Sequence, residues 1–167
     1  PVLYDRRGQV IWYDHAQNGL APWISFGTGT GAAVNVVNDV VYHGGFAIEL
    51  TAPSDGGSSI GIERFFNTPE INKLGVCAAV CFLSEFDAFE ITITYYALTF
   101  RRAMNLLISQ TAHTLSIFDD VLGYVVIAGL PSLVLAGGRY DVFKLVGDFA
   151  TGQYDRLMYN EKAYDLS

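Results

Sequence analysis

Three carboxylate side chains stand close together in the segment Glu85-Phe-Asp87-Ala-Phe-Glu90. Hydrolysis of a glycosidic bond with retention needs two carboxyl groups about 5 Å apart, one ionised and the other kept protonated. In a regular strand Glu85 and Asp87 share one face and Glu90 lies on the other, so a catalytic site here requires a β-bulge. The alternative is that residues 84–87 form a solvated acidic turn between two strands.

The E-x-D-x-x-E spacing of this segment resembles that of retaining β-glucanases of the concanavalin-like jelly roll, the laminarinase and lichenase family. The resemblance implies that Glu85 is the nucleophile and Glu90 the acid/base, with Asp87 tuning both. The chain departs from that family just before Glu85, where residues 81–84 read Cys-Phe-Leu-Ser in place of the family's Trp-Pro and Gly. The resemblance therefore makes catalysis an expectation that rests on spacing alone.

A second motif with chemical potential is GTGTGA at residues 27–32, which fits the G-x-G-x-x-G/A pattern of dinucleotide-binding turns. Glu49 follows about 20 residues later, where such sites carry a ribose-binding acid. A phosphate cradle also needs a helix directly after the glycines. Residues 34–41 are instead rich in β-branched valine, with asparagine and aspartate as poor helix formers. We therefore predict a glycine-rich loop or a bulged edge between the strands of a sandwich, and no nucleotide site.

Carbohydrate binding would need exposed flat aromatic rings, to cover the apolar face of a sugar, and carboxylates or amides to hold its hydroxyl groups. The segment FEITITYYA (89–97) alternates strictly between two faces, which predicts a half-buried strand. The candidate ligand-binding residues on its wet face are Glu90, Thr92, Thr94 and Tyr96. Trp12, Trp23, Tyr42 and Asn105 are weaker candidates. The alternative is that each of these rings packs in the core of a two-sheet fold.

Two acidic loops could ligate a structural Ca²⁺ ion through carboxylate oxygens. One loop contains Asp55 and the other contains Asp119 and Asp120. Acidic turns without a metal are the alternative, and we predict no cofactor.

Cys77 and Cys81 are the two cysteines of the chain. On a strand they share one face with Cα atoms about 13 Å apart, which is too far for a disulfide. The three histidines are scattered, so a zinc site lacks ligands. We predict two buried free thiols that act as small hydrophobic side chains.

The composition indicates one ordered globular domain over residues 1–167, of which 51% are hydrophobic. A domain of this size buries roughly two thirds of its unfolded surface. The net charge of -7 argues against nucleic acid and against an anionic membrane surface, which both need clustered Lys and Arg. The sequence contains no uninterrupted run of about 20 apolar residues, so we predict no membrane insertion. Because the chain starts at Pro1, we expect a processed protein or an excised domain.

Short alternating segments separated by Gly- and Asp-rich turns predict an all-β protein. The predicted strands are QVIWYD (9–14), VNVVNDVVY (34–42), FAIELT (46–51), SIGIERFF (59–66), KLGVCAAVCFL (73–83), FEITITYYA (89–97), RAMNLLIS (102–109), HTLSIFD (113–119), YVVIAG (124–129), YDVFKLVGD (140–148), YDRLMYN (154–160) and KAYDL (162–166). Helical alternatives exist only for residues 67–75 and 99–109. We predict a two-sheet antiparallel β-sandwich with jelly-roll or similar Greek-key connections.

Longer stretches carry a wider resemblance. The order Trp23 to Gly27, then 44–50, then 60–65 resembles the strand order of jelly-roll carbohydrate-binding modules, and residues 140–166 resemble the closing hairpins of laminin-G-like and concanavalin A-like sandwiches. The resemblance implies a fold that serves lectins, hydrolases and capsid or appendage subunits alike.

Three functions follow as expectations. A non-catalytic module that binds a polysaccharide or glycan comes first. A structural or assembly subunit of a virion, surface layer or appendage comes second, because the apolar run at residues 124–136 favours a partner such as another copy of the chain. A retaining β-glycoside hydrolase comes third. An extracellular, cell-surface or virion location is favoured.

Overall fold

The alternation of apolar and polar residues produces a chain of short antiparallel strands. The computed structural model describes residue 14 and residues 16–42, 44–53, 57–66, 73–96, 100–130, 135 and 139–166. Its strands are β1 Ile24–Gly27, β2 Ala33–Val37, β3 Ala47–Thr51, β4 Ile60–Glu63, β5 Lys73–Val80, β6 Ala88–Tyr96, β7 Arg101–Ser109, β8 Thr114–Asp119, β9 Gly123–Gly129, β10 Asp141–Asp148, β11 Gln153–Tyr159 and β12 Lys162–Asp165. None of the described residues belongs to a helix that could cross a membrane. The predicted all-β fold of antiparallel sheets is confirmed.

Contacts divide the chain into two units. The N-terminal unit is Tyr4–Asn67, and the C-terminal unit is Thr68–Ser167 together with Pro1–Leu3. One domain over residues 1–167 stays a prediction.

The N-terminal unit contains two antiparallel pairs, β1 with β4 and β2 with β3. The sequence patterns missed β1, whose four residues are all exposed and therefore carry no alternation of burial. The predicted strand over residues 34–42 ends early at Val37, and a bend follows at residues 38–40, where the Asp39 side chain accepts a hydrogen bond from the Val40 amide at 3.0 Å. The predicted strand over residues 9–14 lies outside the described residues except for Asp14.

The GTGTGA motif comprises Gly27, the last residue of β1, and the loop 28–32 that leads to β2. Gly29 has a φ of 94°, and a Cβ atom there would lie 2.8 Å from the Pro53 side chain and collide with Ser58. The Thr28 amide donates a hydrogen bond to the Ser59 carbonyl at 2.9 Å. The glycines therefore allow this loop to approach residues 53–59, and the predicted loop between strands is confirmed.

The C-terminal unit is a sandwich of two four-stranded sheets. The first sheet has the order β12-β11-β10-β5, and the second has the order β6-β7-β8-β9. Side chains of both sheets form one core, in which the fully buried members are Met104, Leu106, Ile108, Leu115, Phe143, Leu145, Phe149 and Leu157. Both sheets are runs of consecutive hairpins, with β5 added beside β10, so the predicted jelly-roll connections are not confirmed.

Candidate functional site

The second sheet turns one face to the core and presents the other outward. Phe89, Ile91, Ile93 and Tyr95 of β6 pack in the core, as the alternation predicted. Glu90, Thr92, Thr94 and Tyr96 therefore lie on the opposite face. The register places Asn105 opposite Thr92 and Arg101 opposite Tyr96. We call this surface the outer face; its charged, polar and aromatic side chains include Glu90, Thr92, Thr94, Tyr96, Arg101, Asn105, Phe118 and Tyr124.

The Glu90 carboxylate is the centre of a hydrogen-bond network on the outer face. Its Oε1 atom accepts a hydrogen bond from the Tyr124 hydroxyl at 3.0 Å and another from Thr92 Oγ1 at 3.2 Å. Tyr124 lies on β9, at the edge of the sheet opposite β6. Three strand spacings of about 4.8 Å separate these edges in a flat sheet, so the two side chains lean toward each other across the surface.

Tyr124 also contacts Asn105 and Phe118. Burial is the main cause of the raised pKa of Tyr124; a hydrogen bond with Asn105 opposes that shift, and the hydrogen bond to Glu90 adds to it. The Phe118 and Tyr124 rings meet edge to face with centroids 5.3 Å apart. The outer face thus combines a carboxylate, an amide, hydroxyl groups and aromatic rings in one connected cluster.

A tyrosine of the first sheet holds Asn105 from the core side. The pairing of β7 with β8 stops at Leu106 and Ile117. Beyond that point the Tyr154 hydroxyl accepts a hydrogen bond from the backbone N–H of Asn105 at 3.0 Å and donates one to the backbone carbonyl of Phe118 at 2.9 Å. It therefore satisfies two backbone groups that the interrupted pairing leaves without a cross-strand partner.

The variant Tyr154→Phe tests this role. We expect it to lower the free energy of unfolding by about 1–3 kcal/mol, because the Asn105 amide and the Phe118 carbonyl lose their shared partner. Urea unfolding followed by fluorescence measures the change. Tyr96→Phe, which removes a hydroxyl from a ring that is 61% exposed, should change stability by less than about 0.5 kcal/mol. Equal losses of stability in Tyr154→Phe and Tyr96→Phe would contradict the role of the Tyr154 hydroxyl as partner of these two backbone groups.

The other predicted ligand-binding residues are distributed differently. Tyr96 lies on the outer face, with the Arg101 guanidinium 5.8 Å from its ring centroid. Trp23 belongs to the N-terminal unit, where it is half-buried and its indole N–H donates to Asp14 at 2.6 Å. Tyr42 also belongs to the N-terminal unit, and Trp12 lies outside the described residues. Of the predicted set, the structure thus joins Glu90, Thr92 and Asn105 in one network.

The three carboxylates of the hydrolase hypothesis occupy two environments. Glu85 and Asp87 are exposed in the segment before β6, and Glu90 lies within β6. The neighbouring Phe86 amide donates to the Gln110 side chain at 2.6 Å, and the Gln110 amide donates to the Asp87 carbonyl at 3.3 Å. Residues 81–87 thus connect β5 to β6 as a segment with bends at Ser84 and Asp87, and catalysis by these carboxylates stays a prediction.

The acidic residues of the calcium hypothesis lie in turns. Asp119 accepts hydrogen bonds from the Val121 and Leu122 amides, both at 2.8 Å, which lower its pKa and close the hairpin between β8 and β9. Asp120 follows it in the same turn, and Asp55 lies outside the described residues. Within the described ranges no group of three or more His, Cys, Asp or Glu side chains could hold a metal ion.

The prediction that both cysteines are buried is wrong for Cys77. Cys77 of β5 is exposed and Cys81 is half-buried, and both are free thiols. On β5 the exposed positions Lys73, Gly75 and Cys77 alternate with partly buried ones, so Cys77 falls on the exposed face. Neighbouring groups still remove enough water from its sulfur to raise the pKa of the thiol.

Tyr124 is the member of the network that the sequence patterns did not single out. The predicted strand over residues 124–129 begins at this residue, and its alternation places Tyr124 and Val126 on one face. That alternation could have identified the face. The contact with Glu90 could not be predicted, because it depends on the order of four strands.

Comparison of the chain with protein-family models, with curated proteins and with solved structures finds no match.

Proposed function

We propose that the chain is a non-catalytic carbohydrate-binding module whose ligand lies on the outer face of the second sheet. The observation that carries the proposal is the hydrogen-bonded cluster of Glu90, Thr92, Asn105 and Tyr124. Carboxylate and amide groups beside exposed aromatic rings are the groups that hold sugar hydroxyls and cover the apolar face of a sugar ring.

Glu90 has hydrogen-bonding capacity left for a ligand. An ionised carboxylate can accept about four hydrogen bonds over its two oxygens. In the described residues both hydrogen bonds to Glu90 end on Oε1, and the side chain is exposed. The second oxygen is therefore oriented by the same network and available to the hydroxyl groups of a sugar.

The aromatic rings of the outer face supply apolar contact area. Tyr96 is exposed, and the edge-to-face pair of Phe118 and Tyr124 is partly exposed. Tyr124 is held at its ring by Phe118 and at its hydroxyl by Glu90, so little conformational entropy is lost when a ligand binds there. A held ring beside an oriented carboxylate is a preorganised binding surface.

Isothermal titration with a panel of neutral and acidic oligosaccharides tests the proposal. For an oligosaccharide that binds the wild type, we expect Glu90→Gln to weaken binding about tenfold. The reason is that a charge-assisted hydrogen bond contributes about 1–1.5 kcal/mol more binding free energy than a neutral one. Tyr124→Ala should weaken binding at least as much. Phe65→Ala is the matched control, since this exposed ring lies in the N-terminal unit. Absence of heat with every saccharide, neutral or acidic, would contradict the proposal.

Exposed apolar side chains support a second function, assembly into a virion, surface layer or appendage. Val121 and Leu122 at the turn between β8 and β9 are 89% and 75% exposed. Ile24 and Phe26 of the short strand β1 are also more than half exposed. Such apolar surface commonly marks a contact with another protein.

Light scattering over a concentration series tests assembly. We expect particles larger than the 18.3 kDa monomer, and we expect the double variant Val121→Lys with Leu122→Lys to shift the distribution toward the monomer. Wild-type protein that stays monomeric at millimolar concentration would exclude self-assembly.

A further inference from the structure

We infer that the outer-face site selects uncharged sugar units and rejects uronates, an inference that rests on the carbohydrate-binding function proposed above. The feature that carries it is the direction of the hydrogen bonds around Glu90, which determines what a ligand must supply.

The two hydroxyl groups next to Glu90 already donate their hydrogens to its carboxylate. Each hydroxyl has a single hydrogen to donate. The Tyr124 hydroxyl donates to Glu90 Oε1 at 3.0 Å, and Thr92 Oγ1 donates to the same atom at 3.2 Å. Both hydroxyls can therefore offer a ligand only their lone pairs.

The side-chain amide of Asn105 is a donor that is already hydrogen-bonded to Tyr124, so the acceptor left for a ligand is the second oxygen of Glu90. That oxygen accepts no hydrogen bond from the described residues, whereas the Asn105 side-chain oxygen is buried and lies out of reach of a ligand on the outer face. A ligand that fits this centre must donate hydrogen bonds. Sugar hydroxyls can do so, whereas a carboxylate can only accept and would also meet the negative charge of Glu90.

The positive charge of Arg101 lies too far away to reverse this preference. Arg101 pairs with Tyr96, six residues along β6 from Glu90, which corresponds to about 20 Å of strand. This distance exceeds the screening length of about 8 Å at physiological ionic strength. Arg101 is the one cation among the described outer-face residues, and the whole chain carries a net charge of -7.

The experiment compares matched pairs of oligosaccharides in isothermal titration. The probes are β-1,4-glucan, α-1,4-glucan, β-1,3-glucan and β-1,4-mannan hexamers, each neutral and each oxidised at C6 to the uronate. We expect a neutral hexamer to bind at least about tenfold more tightly than its own uronate. In the Glu90→Gln variant, the dissociation constants of a neutral hexamer and of its uronate should lie within about twofold of each other.

Two control variants separate the local charge of Glu90 from general repulsion. Glu63→Gln changes the net charge by the same amount on an exposed residue of the N-terminal unit, and Arg101→Gln removes the cation of the outer face. Both should preserve the preference for the neutral hexamer. A uronate that binds wild-type protein as tightly as its neutral partner overturns the inference and leaves carbohydrate binding intact. Binding of no member of either series overturns both.

Discussion

Replacing Asp141 by alanine is expected to lower the free energy of unfolding by about 2–5 kcal/mol, because the buried Tyr159 hydroxyl and the half-buried Asn160 side chain lose their acceptor. Asp141 is 3% exposed at the start of β10. Its Oδ1 atom accepts hydrogen bonds from the Tyr159 hydroxyl at 3.0 Å and from Asn160 Nδ2 at 2.9 Å. Asn160 has a φ of 52° in the turn between β11 and β12, and its side-chain oxygen accepts from the Val142 amide at 2.8 Å. The carboxylate therefore ties that turn to β10.

Urea unfolding measures this loss, with two reference variants. Asp141→Asn keeps a side-chain oxygen at the same place and should cost less than the alanine variant. Asp87→Ala removes an exposed carboxylate and should stay within about 0.5 kcal/mol of the wild type. The assignment fails if Asp141→Ala and Asp87→Ala unfold at the same urea concentration.

Gly147 and Met104 are expected to be strongly coupled across the sandwich. A Cβ atom at Gly147 would collide with Met104 Sδ and lie 2.6 Å from its Cε, and Met104 is almost fully buried. Gly147→Ala should therefore cost about 1–3 kcal/mol through overpacking, and Met104→Ala about 2–5 kcal/mol through the cavity it leaves. In the double variant the added methyl group occupies part of that cavity, so the combined loss should be at least about 1 kcal/mol smaller than the sum.

Gly45→Ala is the matched control for this cycle. A Cβ atom at Gly45 meets nothing within 4 Å, so the substitution should be close to neutral. Strictly additive losses at Gly147 and Met104 would show that the two sheets adjust independently. Additivity would also contradict the close approach of β10 to β7 at this point.

The composition of the outer face could be predicted in part. The strict alternation of residues 89–96 identified Glu90, Thr92, Thr94 and Tyr96 as one face, because a strand sends successive side chains to opposite sides. Trp23, like Tyr96, has an aromatic ring that could cover the apolar face of a sugar, yet it belongs to the N-terminal unit. Residue type indicates what a side chain can bind, whereas its neighbours depend on contacts distant in sequence.

The sequence by itself determined the all-β class, the positions of most strands and the glycine loop at residues 27–32, since these follow from local alternation and turn residues. Tertiary structure decided that Tyr124 reaches Glu90 and that Tyr154 lies beside Asn105, pairs that are 34 and 49 residues apart. Both contacts require a particular order of strands and a particular pairing of sheets. Local patterns specify which face of a strand is exposed to solvent, but only the packed sheets specify which exposed side chains contact each other.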